Sequence, residues 1–252
     1  MGLRYNKKFG DFNLAVGANL LYVETEALKR DEVYKYDYQY RVGRPLNVIY
    51  GLQADGLYSA EDFDAEGNLK EGLPKPQFGQ VHPGDVKYID YNNDNIIDDN
   101  DQHEIGRWDQ PINYSFNVKL NYKNFTLFVL ADGQNGGDAM LSNSYYQSDG
   151  TDKYSEFIRN RWTEENPNPN AIVPRITSGS ATNNFKSSTY WMYDNSFFRI
   201  NRAQLTYEFN KDFVKKMGMS GLSIDIAGSN LLQFAKNKQY SCLLYTSDAA
   251  DE

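Results

Sequence analysis

The segment INYSFNVKLNY at 112–122 alternates in character at every step for eleven residues. Ile112, Tyr114, Phe116, Val118, Leu120 and Tyr122 fall on one side, and Asn113, Ser115, Asn117, Lys119 and Asn121 on the other. Successive side chains of a β-strand point to opposite faces, so this segment reads as a strand with one apolar and one polar face. Its length is about that of a tilted strand crossing a bilayer. Lys123 and Asn124 then read as a tight turn, and FTLFVLAD at 125–132 as the return strand.

The same grammar recurs. In FNLAVGANLLYVE (12–24), Phe12, Leu14, Val16, Ala18, Leu20 and Tyr22 oppose Asn13, Ala15, Gly17 and Asn19, after a turn at Gly10 and Asp11. AQLTYEF (203–209) sets Ala203, Leu205, Tyr207 and Phe209 against Gln204, Thr206 and Glu208. Phe198 and Ile200 are out of phase with that set, which predicts a β-bulge near Asn201 or Arg202. LSIDIAGSN (222–230) alternates as well, and residues 33–42 and 47–58 are weaker strand candidates.

The connections alternate in length. Short ones fall at Gly10 and Asp11, at Lys123 and Asn124, and near 211–221; long ones span about 60–106 and 141–195. A soluble sandwich rarely needs loops this long. A transmembrane β-barrel has short turns at one end and long loops at the other, in this phase. Inside the second long loop, Tyr154, Phe157, Ile158 and Trp162 sit near helical spacing before Pro167, which predicts a short helix packed on the loop or rim.

Composition excludes several classes. A net charge of −8 argues against nucleic-acid binding. The single Cys242 allows neither an internal disulfide nor a Cys-based metal site. His82 and His103 lie in loop text rich in Gly, Pro and Asp and read as surface residues. No nucleophile elbow, phosphate loop or paired metal-binding histidines are present, so no catalytic residue is assigned. No apolar run is long enough for a transmembrane helix, and no apolar stretch follows the basic residues near Met1 to make a signal peptide.

The acidic stretch DYNNDNIIDDND (90–101) matches a calcium loop in spacing. Asp90, Asn92, Asp94, Ile96 (through its carbonyl), Asp98 and Asp101 take the ligand positions. Ca²⁺ wants six to eight oxygens, and alternate-residue spacing wraps them around one centre. Asn95 stands where the pattern has Gly, and Asn tolerates positive φ. Asp101 replaces the usual Glu, which shortens the last arm. The extended text before the loop resembles a helix-free, dockerin-like calcium loop. One structural Ca²⁺ is expected, and a metal-free polar turn is the alternative.

Several motifs, in order, resemble a known family. They are GLQADGLYSAEDF, HPGDVKYIDYNNDNIIDDNDQHEIGRW, NVKLNYKNFTLFVLADGQNG, RNRWTEENPNP and FFRINRAQLTYEF with LSIDIAGSNLLQF. Their order is similar to that near the C-terminus of SusC/RagA-type TonB-dependent outer-membrane transporters, over about residues 9–240. The run from Pro83 to Tyr88 into the acidic loop is the most distinctive part.

The resemblance implies an all-β fold: a partial antiparallel transmembrane β-barrel, cut from a 22-stranded barrel, with long extracellular loops. It implies the outer membrane of a Gram-negative bacterium and uptake of nutrients, oligosaccharides first and peptides second. The implied partners are a SusD-type surface lipoprotein, TonB (through an N-terminal part outside this chain) and outer-membrane lipid. Residues 1–241 are then expected to be a C-terminal portion of the barrel without plug or final strands. Asn113, Ser115, Asn117, Lys119, Ser223 and Asp225 are expected to line the lumen, with the apolar faces and terminal Tyr and Phe residues meeting lipid. The tail at 242–252, CLLYTSDAADE, breaks the alternation and resembles a translated sequencing-adapter frame, so read-through is expected there. The alternative function is a secreted, calcium-stabilised carbohydrate-binding β module.

Overall fold

The structure is a computed structural model, and it describes residues 1–148, 150, 155–177 and 182–237. The chain divides into two compact units, one built from 1–24, 109–137 and 194 onward, the other from 25–108 and 138–193.

The first unit is one antiparallel sheet of six strands in sequential order. The strands are β1 (Gly2–Phe9), β2 (Phe12–Tyr22), β3 (Ile112–Tyr122), β4 (Phe125–Asn135), β5 (Phe197–Glu208) and β6 (Ser223–Ala235). Tight turns join β1 to β2 at Gly10, which has φ +59°, and β3 to β4 at Lys123, which has φ +51°. Both long connections leave from the sheet's opposite end, because they follow β2 and β4. The expected alternation of connections therefore holds.

Two details of this sheet refine the sequence reading. The register shifts where Leu130 pairs with Arg202 and Ala131 with Ile200, leaving Asn201 as the extra residue. That is the predicted bulge, and it returns Phe198 and Ile200 to the apolar face. The strand Gly2–Phe9 was not foreseen, because Lys7 interrupts its alternation; Lys7 lies over the Phe9 ring at 4.8 Å. The connector before β6 is also more than a turn. It holds a helix, Lys211–Lys216, capped by the Asn210 side chain and anchored by buried Val214.

The second unit gathers the two long connections around a core of Leu52, Leu57, Val86, Tyr88, Ile97, Trp162 and Ala171. Short strands frame it. Val48–Gly51 pairs with His103–Arg107, and Ala54–Leu57 with Val86–Tyr88, both antiparallel. Lys75–Pro76 pairs with Ile96–Ile97 in parallel.

Three expectations need correction here. Residues 33–42 hold no strand; a 3-10 turn at Asp37–Gln39 stacks Tyr36 on Tyr38 at 5.2 Å instead. Residues 47–58 form two short strands, broken where the Leu52 N–H turns to the Ser187 carbonyl at 2.9 Å. The predicted helix shrinks to a 3-10 segment, Glu156–Asn160. It ends early because the Trp162 N–H already bonds the Val173 carbonyl at 2.9 Å in extended chain. Tyr154 and the tail at 242–252 lie outside the described residues.

Candidate functional site

The sheet registers its apolar side chains into rows. Phe12 lies opposite Tyr122, Tyr122 opposite Phe125, Phe125 opposite Tyr207, and Tyr207 opposite Ile224. The next rows run Leu14–Leu120–Leu127–Leu205–Ile226, then Val16–Val118–Val129–Ala203. The far row joins Leu20, Tyr114, Gly133, Phe198 and Phe234. Aromatic rings close both ends. Phe12 stacks on Tyr122 at 4.2 Å and Phe125 meets Tyr207 at 4.8 Å near the turns; Tyr114, Phe198 and Phe234 stack in series at the other end. The rows span about 25 Å along the strands at about 3.3 Å per residue.

This face is open. Ile226 is 72% exposed, Phe234 59% and Ile224 56%, and within the unit no second sheet covers it among the described residues. A water-soluble protein rarely presents an apolar surface of this extent, whereas a barrel wall places it against lipid.

The opposite face is polar and cross-linked. Asp132 accepts from Arg199 Nε at 3.0 Å and from the bulged Asn201 at 2.9 Å. Asn19 donates to Ser115 at 3.2 Å, and Thr126 to Asn121 at 2.9 Å. Asp225 accepts from Gln204 at 3.0 Å and from the Thr206 hydroxyl. Register places all six residues expected to line a lumen on this side: Asn113, Ser115, Asn117 and Lys119 on β3, Ser223 and Asp225 on β6. Gly17 lies in the same face, where a Cβ would meet the Asn117 carboxamide at 2.6 Å.

In the second unit the motif Pro83 to Tyr88 is a structural node. The Asp85 carboxylate is buried and takes both Nε (3.1 Å) and an outer nitrogen (3.0 Å) of Arg175. It also accepts from the Asn184 amide at 2.9 Å and the His82 N–H at 2.8 Å. Asn184 in turn accepts from the Val86 N–H at 2.8 Å, and its carbonyl receives the Trp191 indole at 2.7 Å. Gly84 has φ +87°, and a Cβ there would overlap the Trp162 ring. Burial holds the Tyr58 and Tyr88 phenols well above their ordinary range and pushes Tyr38 up to about 12. Asp85 lies in the motif singled out from the sequence, but its partners Arg175 and Asn184 escaped that reading because no local pattern links residues this far apart.

The acidic loop is tightly ordered by its own side chains. Asp90 accepts from the Asp94 N–H at 3.2 Å and the Asn95 N–H at 2.6 Å, wrapping the chain around its carboxylate. Asn93 and Asn95 take φ +61° and +64°, so Asn95 does supply the left-handed turn where Gly is usual. Asp94 accepts from the Ile96 N–H at 3.0 Å and from the Asn92 amide at 3.0 Å. Asp98 accepts from Asn100 N–H at 2.7 Å. Asp101 is fully buried and pins the loop, accepting from Tyr91 N–H at 2.9 Å, Asn92 N–H at 3.3 Å and Asp98 N–H at 2.8 Å. Burial pushes its carboxyl up, against those donors. Among the described residues no three His, Cys, Asp or Glu side chains gather closely enough to hold a metal ion.

His103 is not a surface residue. It is 9% exposed, stacks on Tyr91 at 3.8 Å, and places Nδ1 3.0 Å from the Asp101 carbonyl. The ring serves as the floor of the acidic loop, and the loop composition around it gave no hint of that.

No family model matches the chain. TonB-dependent receptor P3 of Formosa agariphila is 24% identical over 194 residues, which cover 77% of this chain and 18% of that protein. The RagAB peptide importer in its open-open state superposes with a TM-score of 0.62 at 19% identity, covering 93% of this chain and 24% of that one. The RagAB peptide transporter superposes at 0.61, also at 19% identity, over 93% of this chain and 25% of that one. The chain thus spans less than a fifth of the curated relative and about a quarter of the solved chains. With its two-faced meander and its alternating connections, the chain shares the fold of the RagAB transporter chains and is similar in sequence to a TonB-dependent receptor.

Proposed function

We propose that this chain forms part of the wall and the outer loops of an importer in a Gram-negative outer membrane, coupled to TonB. One observation carries the reading. A single six-stranded meander exposes an apolar face closed by aromatic rows at both ends, and opposes it with a hydrogen-bonded polar face. The apolar face meets lipid. The polar face, with Asn113, Ser115, Asn117, Lys119, Ser223 and Asp225, lines the lumen. The ion pair of Asp132 with Arg199 keeps that wall rigid while cargo passes. The chemistry is binding and gated passage, with no bond broken.

The cargo class is oligosaccharides first and peptides second, delivered with a SusD-type surface lipoprotein. The likeness to a peptide importer supports the second class. Membrane fractionation tests the location: the full-length protein should sediment with outer membranes and show heat-modifiable gel mobility. Recovery in the soluble fraction without detergent would overturn it. Growth of a deletion strain on oligosaccharides and on peptides as sole carbon source tests the cargo, and unimpaired growth on both would remove both classes.

The acidic loop supports a second proposal, one structural Ca²⁺ held by Asp90, Asn92, Asp94, the Ile96 carbonyl, Asp98 and Asp101. The favouring observation is the wrap of the chain around Asp90 through left-handed Asn93 and Asn95. Five aspartates, at 90, 94, 98, 99 and 101, fall within twelve residues of sequence, Asp90 acts repulsively on Asp101, and a divalent cation would relieve such repulsion. Binding requires the Asp94 and Asp98 oxygens to turn from their present amide partners toward the centre. Calorimetry with calcium on the full-length protein, stripped by chelator, tests it. An absence of heat at millimolar calcium would sink the proposal.

A further inference from the structure

The second unit contains a cavity of about 470 Å³, lined in part by two cations, that none of the functions above uses. Its lining includes Tyr34, Lys35, Gln39, Arg41, Tyr50 and Asn100. Arg41 is the unusual member. Its guanidinium lies over the Tyr50 ring at 4.8 Å, yet its buried Nε has no hydrogen-bond partner. Arg44, Arg159 and Arg175 of this unit each hold a carboxylate. A buried donor left unpaired is costly, so a guanidinium held this way is incomplete without an acceptor.

The walls around Arg41 are already fixed. Tyr50 donates to the Tyr40 carbonyl at 2.9 Å, and Tyr40 donates to the Tyr34 carbonyl at 3.1 Å. Gln39 donates weakly to the Asp99 carbonyl at 3.4 Å, and Gln102 caps the Asp99 carboxylate at 2.7 Å. Glu32 accepts from the Arg41 backbone N–H at 3.0 Å and sits 3.9 Å from Arg30, so its carboxylate is engaged by those groups. The charged residues of the lining itself are Lys35, Arg41 and the capped Asp99, with Asp94 and Asp98 near Lys35.

We propose that this cavity is a carboxylate-binding subsite in which the Arg41 fork grips a ligand carboxylate. A planar guanidinium matches a carboxylate with two parallel hydrogen bonds, and the Tyr50 ring holds the fork in plane. Lys35 adds charge without geometry, and the Tyr34 ring and Asn100 amide offer contacts to the rest of the ligand. The carboxylate can come from an acidic sugar or from the C-terminus of a peptide. The inference rests on the importer reading only for the ligand's biological role, because binding is read at equilibrium without transport.

Calorimetry on the full-length protein in detergent tests it with two acids and their neutral forms. The probes are digalacturonate with its methyl ester, and the peptide Gly-Gly-Ala with its C-terminal amide. At least one acid should bind, with its neutral form about tenfold weaker or worse. Arg41→Gln should weaken the acid by a similar factor and leave the neutral form unchanged. Binding of digalacturonate alone assigns an acidic sugar, binding of the peptide alone assigns a peptide end, and binding of both assigns the bare carboxylate. Equal affinity of acid and neutral form, unchanged affinity in Arg41→Gln, or no binding of either acid would overturn the proposal. The acid-to-neutral comparison needs no variant, so a misfolded Arg41→Gln leaves the test intact. Membrane fractionation is untouched by any of these outcomes, so the two readings fail separately.

Discussion

Arg175 holds both carboxylate oxygens of Asp85 from 90 residues away in sequence. The pair ties the two long connections of the chain together, since Asp85 belongs to the first and Arg175 to the second. Removing one partner leaves the other charge stranded in a largely dry place, which typically costs about 3 kcal/mol. Asp85→Ala should therefore loosen the second unit by about that amount, as seen in hydrogen exchange at Val86 and Tyr88. Gel mobility of the barrel wall should stay unchanged, because the sheet's hydrogen bonds do not involve the pair. Unchanged exchange at Val86 would show that Asn184 alone holds the node.

Gly84 and Trp162 make a second long-range bond of a different kind. Alanine at Gly84 meets both a positive φ and the indole ring, so Gly84→Ala should cost about 2–3 kcal/mol. Trp162→Ala removes the steric part but leaves the backbone strain. A double-mutant cycle on the thermal unfolding of the second unit should show a coupling of about 1–2 kcal/mol. Strict additivity of the two changes would mean that only backbone strain matters at Gly84.

These two contacts mark the boundary of what the sequence makes legible. Strands β3 and β4 declare themselves because alternation is local, and Asn201 because a bulge shifts the phase of its neighbours. The lumen side of the sheet follows from the same alternation. β1 was missed because Lys7 sits on the apolar face at a sheet edge. The tyrosines at 34, 36, 38 and 40 share the period of a strand, yet they pair with one another and with Asn100 instead of with a neighbouring strand. His103 is covered when the acidic loop folds back and lays Tyr91 on its ring, and the Asp85–Arg175–Asn184 node joins residues of two separate connections. No spacing within either connection encodes them.

The two faces of β3 predict opposite responses to charge. Val118 lies in the middle row of the apolar face, and Asn117 beside it lies on the polar face. Arginine on the lipid side near the bilayer midplane costs about 2–4 kcal/mol, whereas lumen positions tolerate charge. Val118→Arg should lower the yield of folded, heat-modifiable protein in lipid vesicles, and Asn117→Arg should leave it near the parent level. Equal yields for the two variants would remove the assignment of faces.

The buried phenols of the second unit predict an alkaline weakness. Burial raises the pKa of Tyr38, Tyr50, Tyr58 and Tyr88, with Tyr38 reaching about 12. A raised acid keeps its proton in the folded state after the unfolded state has lost it. Below about pH 10, the unfolded value, both states are neutral and the full stability is present. As pH climbs from there toward 12, unfolded phenols ionise and folded ones do not, so stability falls across that window. Absorbance of tyrosinate should thus lag behind free tyrosine and then rise with unfolding of the second unit. Tyr38→Phe removes one ionising group, and also its hydrogen bond to the Asn100 carbonyl at 2.6 Å. It should lower stability at pH 8 by about 1 kcal/mol while flattening the decline between pH 10 and 12. A decline as steep as that of the parent would mean that Tyr38 ionises in the folded protein and that its burial does not control the transition.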